Sequence, residues 1–463
     1  MRKWTVCLLV LAVLMLAVTA IAEEPQREVI TSGDWQYVVL EDGTAEIVKY
    51  TGEAETLTIP DTLDGKSVTG IGDGAFEKCR CLTSITLPEG VTSIGDRAFD
   101  SCYELTSITL PDSVTSIGSN PFNTCMKLTS INVSPDHNYL AVIDGVLLSK
   151  PDKRLVFYPQ SKKNTAYEIP RGISIIGENA FSWCVRLTSI TLPDSVTSIE
   201  DSAFNNCISL TGLMLPDSVT SIGKNPFYGC SEISSIHVSP DHNYLAVIDG
   251  VLFSKPDKRL VCYPQSKTNT AYEIPRGISI IGDNAFYFCS SLTSITLPDS
   301  VTRIGDSAFN NCSSLASIML PDSVMSIGDG AFDWCSSLTS ITLPDSVMSI
   351  GNRTFSRCNK LTCISIPESV TSIGDSAFSL CSSLTSITLP DRIMSIGDRA
   401  FSYCSSLTSI TIPGSVTSIG KDAFYECANL ILTVPRNSYA AQYCKENNLN
   451  YTYPDANDWL TAP

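Results

Sequence analysis

Thirteen cysteines recur on one beat. Cys79, Cys102 and Cys125 stand 23 residues apart, as do Cys184, Cys207 and Cys230, and as do Cys289, Cys312, Cys335, Cys358, Cys381, Cys404 and Cys427. A fixed period in the range of roughly 20–50 residues marks stacked repeats. One coil of this length cannot bury its apolar face alone. The beat therefore predicts a solenoid in which each coil packs only on its neighbours.

The coil beginning at Leu384 shows the pattern. Counting Leu384 as place 1, apolar residues fill places 1, 4 and 6 (Leu384, Ile387, Leu389), 10 and 13 (Ile393, Ile396), 17 and 18 (Ala400, Phe401) and 21 (Cys404). Places 2 to 6 alternate, which predicts a strand with Ile387 and Leu389 inward and Ser386 and Thr388 outward. Pro390 ends the ladder because it has no N–H. Places 10 to 13 predict a second short strand on another side. Gly at place 14 is expected to take positive φ, and Asp at place 15 to cap a helical turn carrying Ala-Phe-x-x-Cys. A calcium ladder along the Asp column is disfavoured. The Gly-Gly-x-Gly-x-Asp nonapeptide is absent, and Ser119, Lys224, Asn352 and Lys421 interrupt the column.

The chain opens with Arg2-Lys3, an apolar run from Val6 to Val18, and Ala20-Ile21-Ala22 before Glu23, which reads as a secretion leader over 1–22. Its removal takes the formal charge from −17 to −19 and leaves 17 of the 18 cysteines. That charge opposes nucleic acid as a partner. No integral membrane segment is expected after the leader. An odd cysteine count rules out complete pairing within one chain. Stacked coils would align the Cβ vectors in parallel rather than convergent fashion, which favours a column of buried, reduced thiols. A metal array lacks CxxC clusters, and the chain has 3 His. No cofactor is expected.

The run Leu-Thr-Ser-Ile-Thr-Leu-Pro-Asp-Ser-Val-Thr-Ser-Ile-Gly-Asp-x-Ala-Phe-x-x-Cys resembles the BspA-like leucine-rich repeat family with treponemal-type 23-residue repeats. The resemblance implies a leucine-rich repeat solenoid, with a parallel β-sheet on one side and short helical turns or irregular segments on the other. It departs from the commonest leucine-rich consensus, with Ser at the Asn/Cys place and a late cysteine. It also implies an exported or surface protein, with adhesion as a class expectation and no catalytic motif to carry over.

The expected organisation is an N-terminal hairpin cap over 23–56, the solenoid over 57–435, and a C-terminal helix–strand cap and tail over 436–463. Two interruptions, about 134–170 and 239–275, repeat Ser134–Leu147 unchanged at Ser239–Leu252, an offset of 105 residues. Val146–Ser149 and Leu155–Tyr158 read as a β-hairpin enlarging one turn and projecting from the stack. Asp136-His137 and Asp241-His242, beside Ser134 and Ser239, are read as loop residues satisfying their own backbone rather than a nucleophilic site.

Outward strand places are almost uniformly Thr-Ser-Thr, so variation concentrates at places 19, 20 and 22. Trp183, Phe288, Trp334 and Tyr403, all at place 20, are the candidate partner contacts. Two function classes follow. One is a secreted or non-covalently surface-associated interaction protein that binds extracellular or host protein or glycan. The other is a self-associating structural scaffold without a specific ligand. No cluster of titratable groups indicates an enzyme.

Overall fold

The computed structural model describes residues 27–455. The leader expected over 1–22 lies outside them. Most coils supply a three-residue strand and a two-residue strand, each pairing parallel with the same places of the next coil. Ser386–Thr388 lies on Ser409–Thr411 (Ile387 opposite Ile410), and Ser395–Ile396 lies on Ser418–Ile419. The middle Ile of the longer strand is buried and its neighbours are exposed. A one-residue slip would turn every such Ile to solvent, so burial enforces the register. Nine strands form one sheet from Ala271–Glu273 to Tyr451–Thr452.

Inside, the place 18 rings stack along the axis. From Phe286 to Phe424 successive centroids are 5.1–5.6 Å apart with planes within 18°. The polar consensus residues bind neighbouring coils. Thr106 Oγ1 at place 2 donates to Thr83 O (3.1 Å), and Ser369 Oγ at place 9 donates to Val347 O (2.6 Å). Asp375 Oδ1 accepts from the Asp398 N–H at 2.8 Å, and Asp398 Oδ1 accepts from the Lys421 N–H at 2.7 Å. The column thiols from Cys102 onward reach back one coil: Cys381 Sγ donates to Phe355 O and Cys404 Sγ to Phe378 O, both at 3.1 Å. All 17 cysteines among the described residues are free thiols, and burial pushes Cys312 and Cys381 up to about 12.

The third side differs from expectation. Places 15 to 20 form no helix, and the Asp carboxylate caps the next coil's N–H rather than its own turn. Instead, the N–H groups of places 16, 18 and 20 donate to carbonyls at places 15, 17 and 19 of the following coil. Arg399 N to Lys421 O (2.9 Å), Phe401 N to Ala423 O (2.8 Å) and Tyr403 N to Tyr425 O (2.7 Å) show the pattern. Gly at place 14 also has a different reason. Gly397 is not in the positive-φ region, but a Cβ there would stand 2.5 Å from Asp375 Oδ1 and 2.6 Å from Gly374 C. Close approach of two coils, not a left-handed turn, requires glycine.

The inserts do not project. Leu140–Ile143, Val146–Ser149 and Arg154–Phe157 form an antiparallel triplet whose last strand pairs parallel with Ile175–Ile176. Val146–Leu148 and Leu155–Phe157 are all buried, and a run this apolar belongs in the stack. At the N-terminal end, Trp35–Val39 pairs with Ala45–Tyr50, and Trp35 covers Phe76 edge-on at 6.3 Å. At the other end Ser438 caps the helix Tyr439–Glu446, accepting from the Ala441 N–H, and Tyr443 meets Phe424 edge-on at 6.5 Å.

Candidate binding face

The third ladder dictates an unusual backbone. To aim its N–H along the solenoid axis, place 16 and place 20 of each regular coil adopt positive φ. Arg353, Ser376 and Arg399 at place 16 lie at 53–56°, and Arg357, Leu380 and Tyr403 at place 20 lie at 59–62°. Elsewhere these places carry residues that tolerate such angles, including Asn179, Asn284, Asn206 and Asn311. Trp183, Phe288, Trp334 and Tyr403 sit in the same conformation at 58–62°. Bulky side chains are uncommon there. All four are also exposed, by 38–48%.

The structure puts these four residues on one face but not in one cluster. Four successive coils carry Trp334, Arg357, Leu380 and Tyr403 at place 20. The Arg357 guanidinium lies over the Trp334 ring at 4.8 Å, and Tyr403 meets Tyr425 edge-on at 5.5 Å. Phe288 instead joins Tyr287 and, through it, Tyr228. Trp183 lies farther along the column.

A groove of about 570 Å³ opens beside the row. Its walls include Arg353, Arg357, Arg399, Leu380 and Tyr403, and serines at place 19 line its floor. Ser356 and Ser402 are each 2% exposed. Ser379 and Ser402 hydroxyls share a hydrogen bond at 2.9 Å, and Ser356 Oγ accepts from Arg357 Nη1 at 3.2 Å. Arg357 pairs with Asp333 at 3.4 Å, and Arg399 with Asp422 at 3.8 Å. Burial nonetheless pushes the Asp333 carboxyl above the usual carboxylate range. Place 16 was missed in the sequence. Its Asn, Gly and Ser content, shared with place 20, is the signal that marks both as left-handed and outward.

The other candidate residues are structural. His137 is buried, and its Nδ1 accepts from the N–H groups of Tyr139 and Leu140, both at 3.1 Å, so its proton sits on Nε2 facing Pro111 O. His242 repeats the arrangement on Pro216. Ser134 Oγ accepts from the Asp136 N–H. Among the described residues no three of His, Cys, Asp and Glu are placed to hold a metal ion, and no helix is long and apolar enough to cross a membrane.

No curated protein matches the chain. Among solved structures, a leucine rich cell surface protein from Faecalibacterium prausnitzii is 29% identical, with 90% of this chain and 97% of that one covered at a TM-score of 0.40. A leucine-rich repeat protein from Bacteroides ovatus is 27% identical, with 92% and 99% covered at 0.39. Another from Eubacterium ventriosum is 23% identical, with 85% and 93% covered at 0.49. The family described as BspA type leucine rich repeat region matches in 6 copies, over residues 46–142, 154–255, 261–381 and 302–431. These matches take in most of the solenoid, and the chain belongs to the BspA-type leucine-rich repeat family.

Proposed function

We propose that this chain is an exported or surface-held interaction protein that binds an extracellular partner through places 16, 19 and 20 of its third side. One observation supports the reading above the rest. Large aromatic side chains stand exposed at left-handed backbone angles, in a column that elsewhere holds Ser, Thr, Asn, Gly, charged residues and one Leu. Holding a non-glycine residue there costs about 1–2 kcal/mol, and at 38–48% exposure these rings bury only part of their surface. The strand sides offer less. The place 2 hydroxyls are engaged with the preceding coil, and the remaining surface is nearly uniform. The leader read from the sequence supports export.

The test is capture of extracellular matrix proteins and cell-surface glycans by the chain and by a variant carrying Trp183→Asn, Phe288→Asn, Trp334→Asn and Tyr403→Asn together. Asn is the residue found at place 20 in Asn206 and Asn311, so the variant keeps the ladder. Loss of capture supports the reading, and undiminished capture refutes it.

Self-association is the second reading, and one observation favours it. Near the N-terminal end the same face holds a groove of about 440 Å³ lined by Asp73, Glu77, Asp96, Asp100 and Glu178 with Arg97, a net acidic surface that Arg353 farther along the face, unpaired among the described residues, complements. Light scattering that rises with concentration and falls with added salt would support it.

A further inference from the structure

Resting on the binding-face reading, we infer that the groove of coils 353–425 takes a neutral, polyhydroxylated ligand: a short segment of an uncharged polysaccharide. Four features of the groove converge on that chemistry.

First, the backbone is already used. The N–H groups of Arg353, Arg357, Ser376, Leu380, Arg399 and Tyr403 all donate to the next coil at 2.7–2.9 Å. A peptide cannot add here by main-chain pairing, so recognition falls to side chains. Second, two of the three arginines are compensated. Arg357 faces Asp333, Arg399 faces Asp422, and Asp375 and Asp398 adjoin at place 15. Such a groove is no trap for a polyanion, and the chain's formal charge of −17 opposes one further. Third, the groups left over match hydroxyls. Guanidinium N–H groups donate, carboxylate oxygens accept, and the half-buried Ser376 and Ser379 hydroxyls do either, whereas Ser356 and Ser402 are buried in the floor. Arg353 forms no ion pair among the described residues and stands free to donate. Fourth, an apolar surface flanks these groups. The exposed Tyr403 ring and Leu380 lie in the wall, and Trp334 follows three coils from Tyr403. At about 4.8 Å per coil, that separation is about 14 Å. Tyr403 and the face of Trp334 that Arg357 leaves free can stack on the apolar faces of well-separated sugar units of one chain, while the polar groups between them reach the hydroxyls.

The experiment is an array of neutral and charged oligosaccharides probed with the full mature chain, followed by affinity electrophoresis in gels containing the best neutral polysaccharide, heparin or poly-glutamate. Two variants accompany it. Arg399→Asn with Tyr403→Asn removes groove contacts and uses a residue this column already accepts. Met319→Thr alters an exposed strand place on another side of the coil and installs the residue usual there. The expected result is retardation by a neutral polysaccharide only, weakened roughly tenfold or more by the double variant and unchanged by Met319→Thr. Absence of any neutral ligand, stronger retardation by heparin or poly-glutamate, or equal retardation of the double variant would each overturn the inference. So would concentration-dependent dimerisation abolished by that variant, which would assign the groove to a second copy. If no neutral glycan binds but the fourfold Asn variant still loses a protein partner, the ligand assignment falls and the binding-face reading stands.

Discussion

At the scale of single residues, four polar places of the repeat do the same job. Thr at 2, Ser at 9 and Cys at 21 donate backwards, and Asp at 15 accepts from the coil ahead. Strands of two or three residues make few backbone bonds, so these side chains supply much of the joint between coils. Removing one partner leaves an N–H or C=O to solvent or to nothing. Asp375→Ala, which frees the Asp398 N–H, should lower unfolding stability by about 1 kcal/mol in urea titration, and Asp375→Asn should restore most of it. The native chain already uses this exchange, since Asn352 Oδ1 accepts from the Asp375 N–H at 2.8 Å. The thiols make a second prediction. An oxidising or alkylating reagent needs the thiolate, and burial holds column thiols such as Cys312 protonated. Near neutral pH only the exposed Cys81 and Cys363 should react rapidly with an aromatic disulfide reagent, the half-buried Cys79, Cys262 and Cys427 more slowly, and the other twelve only in denaturant.

Among the elements, the two inserts behave as built-in coils, and their duplication has a structural consequence. His137 faces Pro111 O at 3.2 Å, and His242 faces Pro216 O at 3.2 Å. Deleting residues 134–238 would bring His242 onto Pro111 with each flanking strand in its native register. That chain should unfold in one cooperative step, with the urea m-value reduced by roughly a quarter. A non-cooperative transition would show that the insert does not join the stack. The strands were readable from alternation and from Pro at place 7, because side-chain direction in a strand follows from sequence parity alone. The third side was not. Ala-Phe-x-x-Cys spaces its apolar residues as a helix would, and only the Asn and Gly scattered at places 16 and 20 betray the left-handed angles. Gly397 misled for a related reason: a glycine required by a neighbouring coil looks the same as one required by its own φ. Insert strands such as Val146–Leu148 were located correctly, but their burial was not weighed against a projecting loop.

For the whole molecule, the fold and the proposed binding draw on separate sides of the coil. The interior columns and inter-coil bonds occupy nearly every consensus residue, while the exposed aromatics at place 20 stand on a face whose backbone is fixed whatever side chain it carries. The candidate residues Trp183, Phe288, Trp334 and Tyr403 could be picked from sequence as aromatics at a variable place. Their shared left-handed conformation and the arginine groove beside two of them could not, because both depend on which coils stack. The central claim is that these aromatics are surplus to the fold. The direct measurement is the thermal midpoint of the chain carrying Trp183→Asn, Phe288→Asn, Trp334→Asn and Tyr403→Asn. Relief of left-handed strain predicts a midpoint equal to or above that of the native chain, and a fall of more than about 5 °C would show that the row is structural.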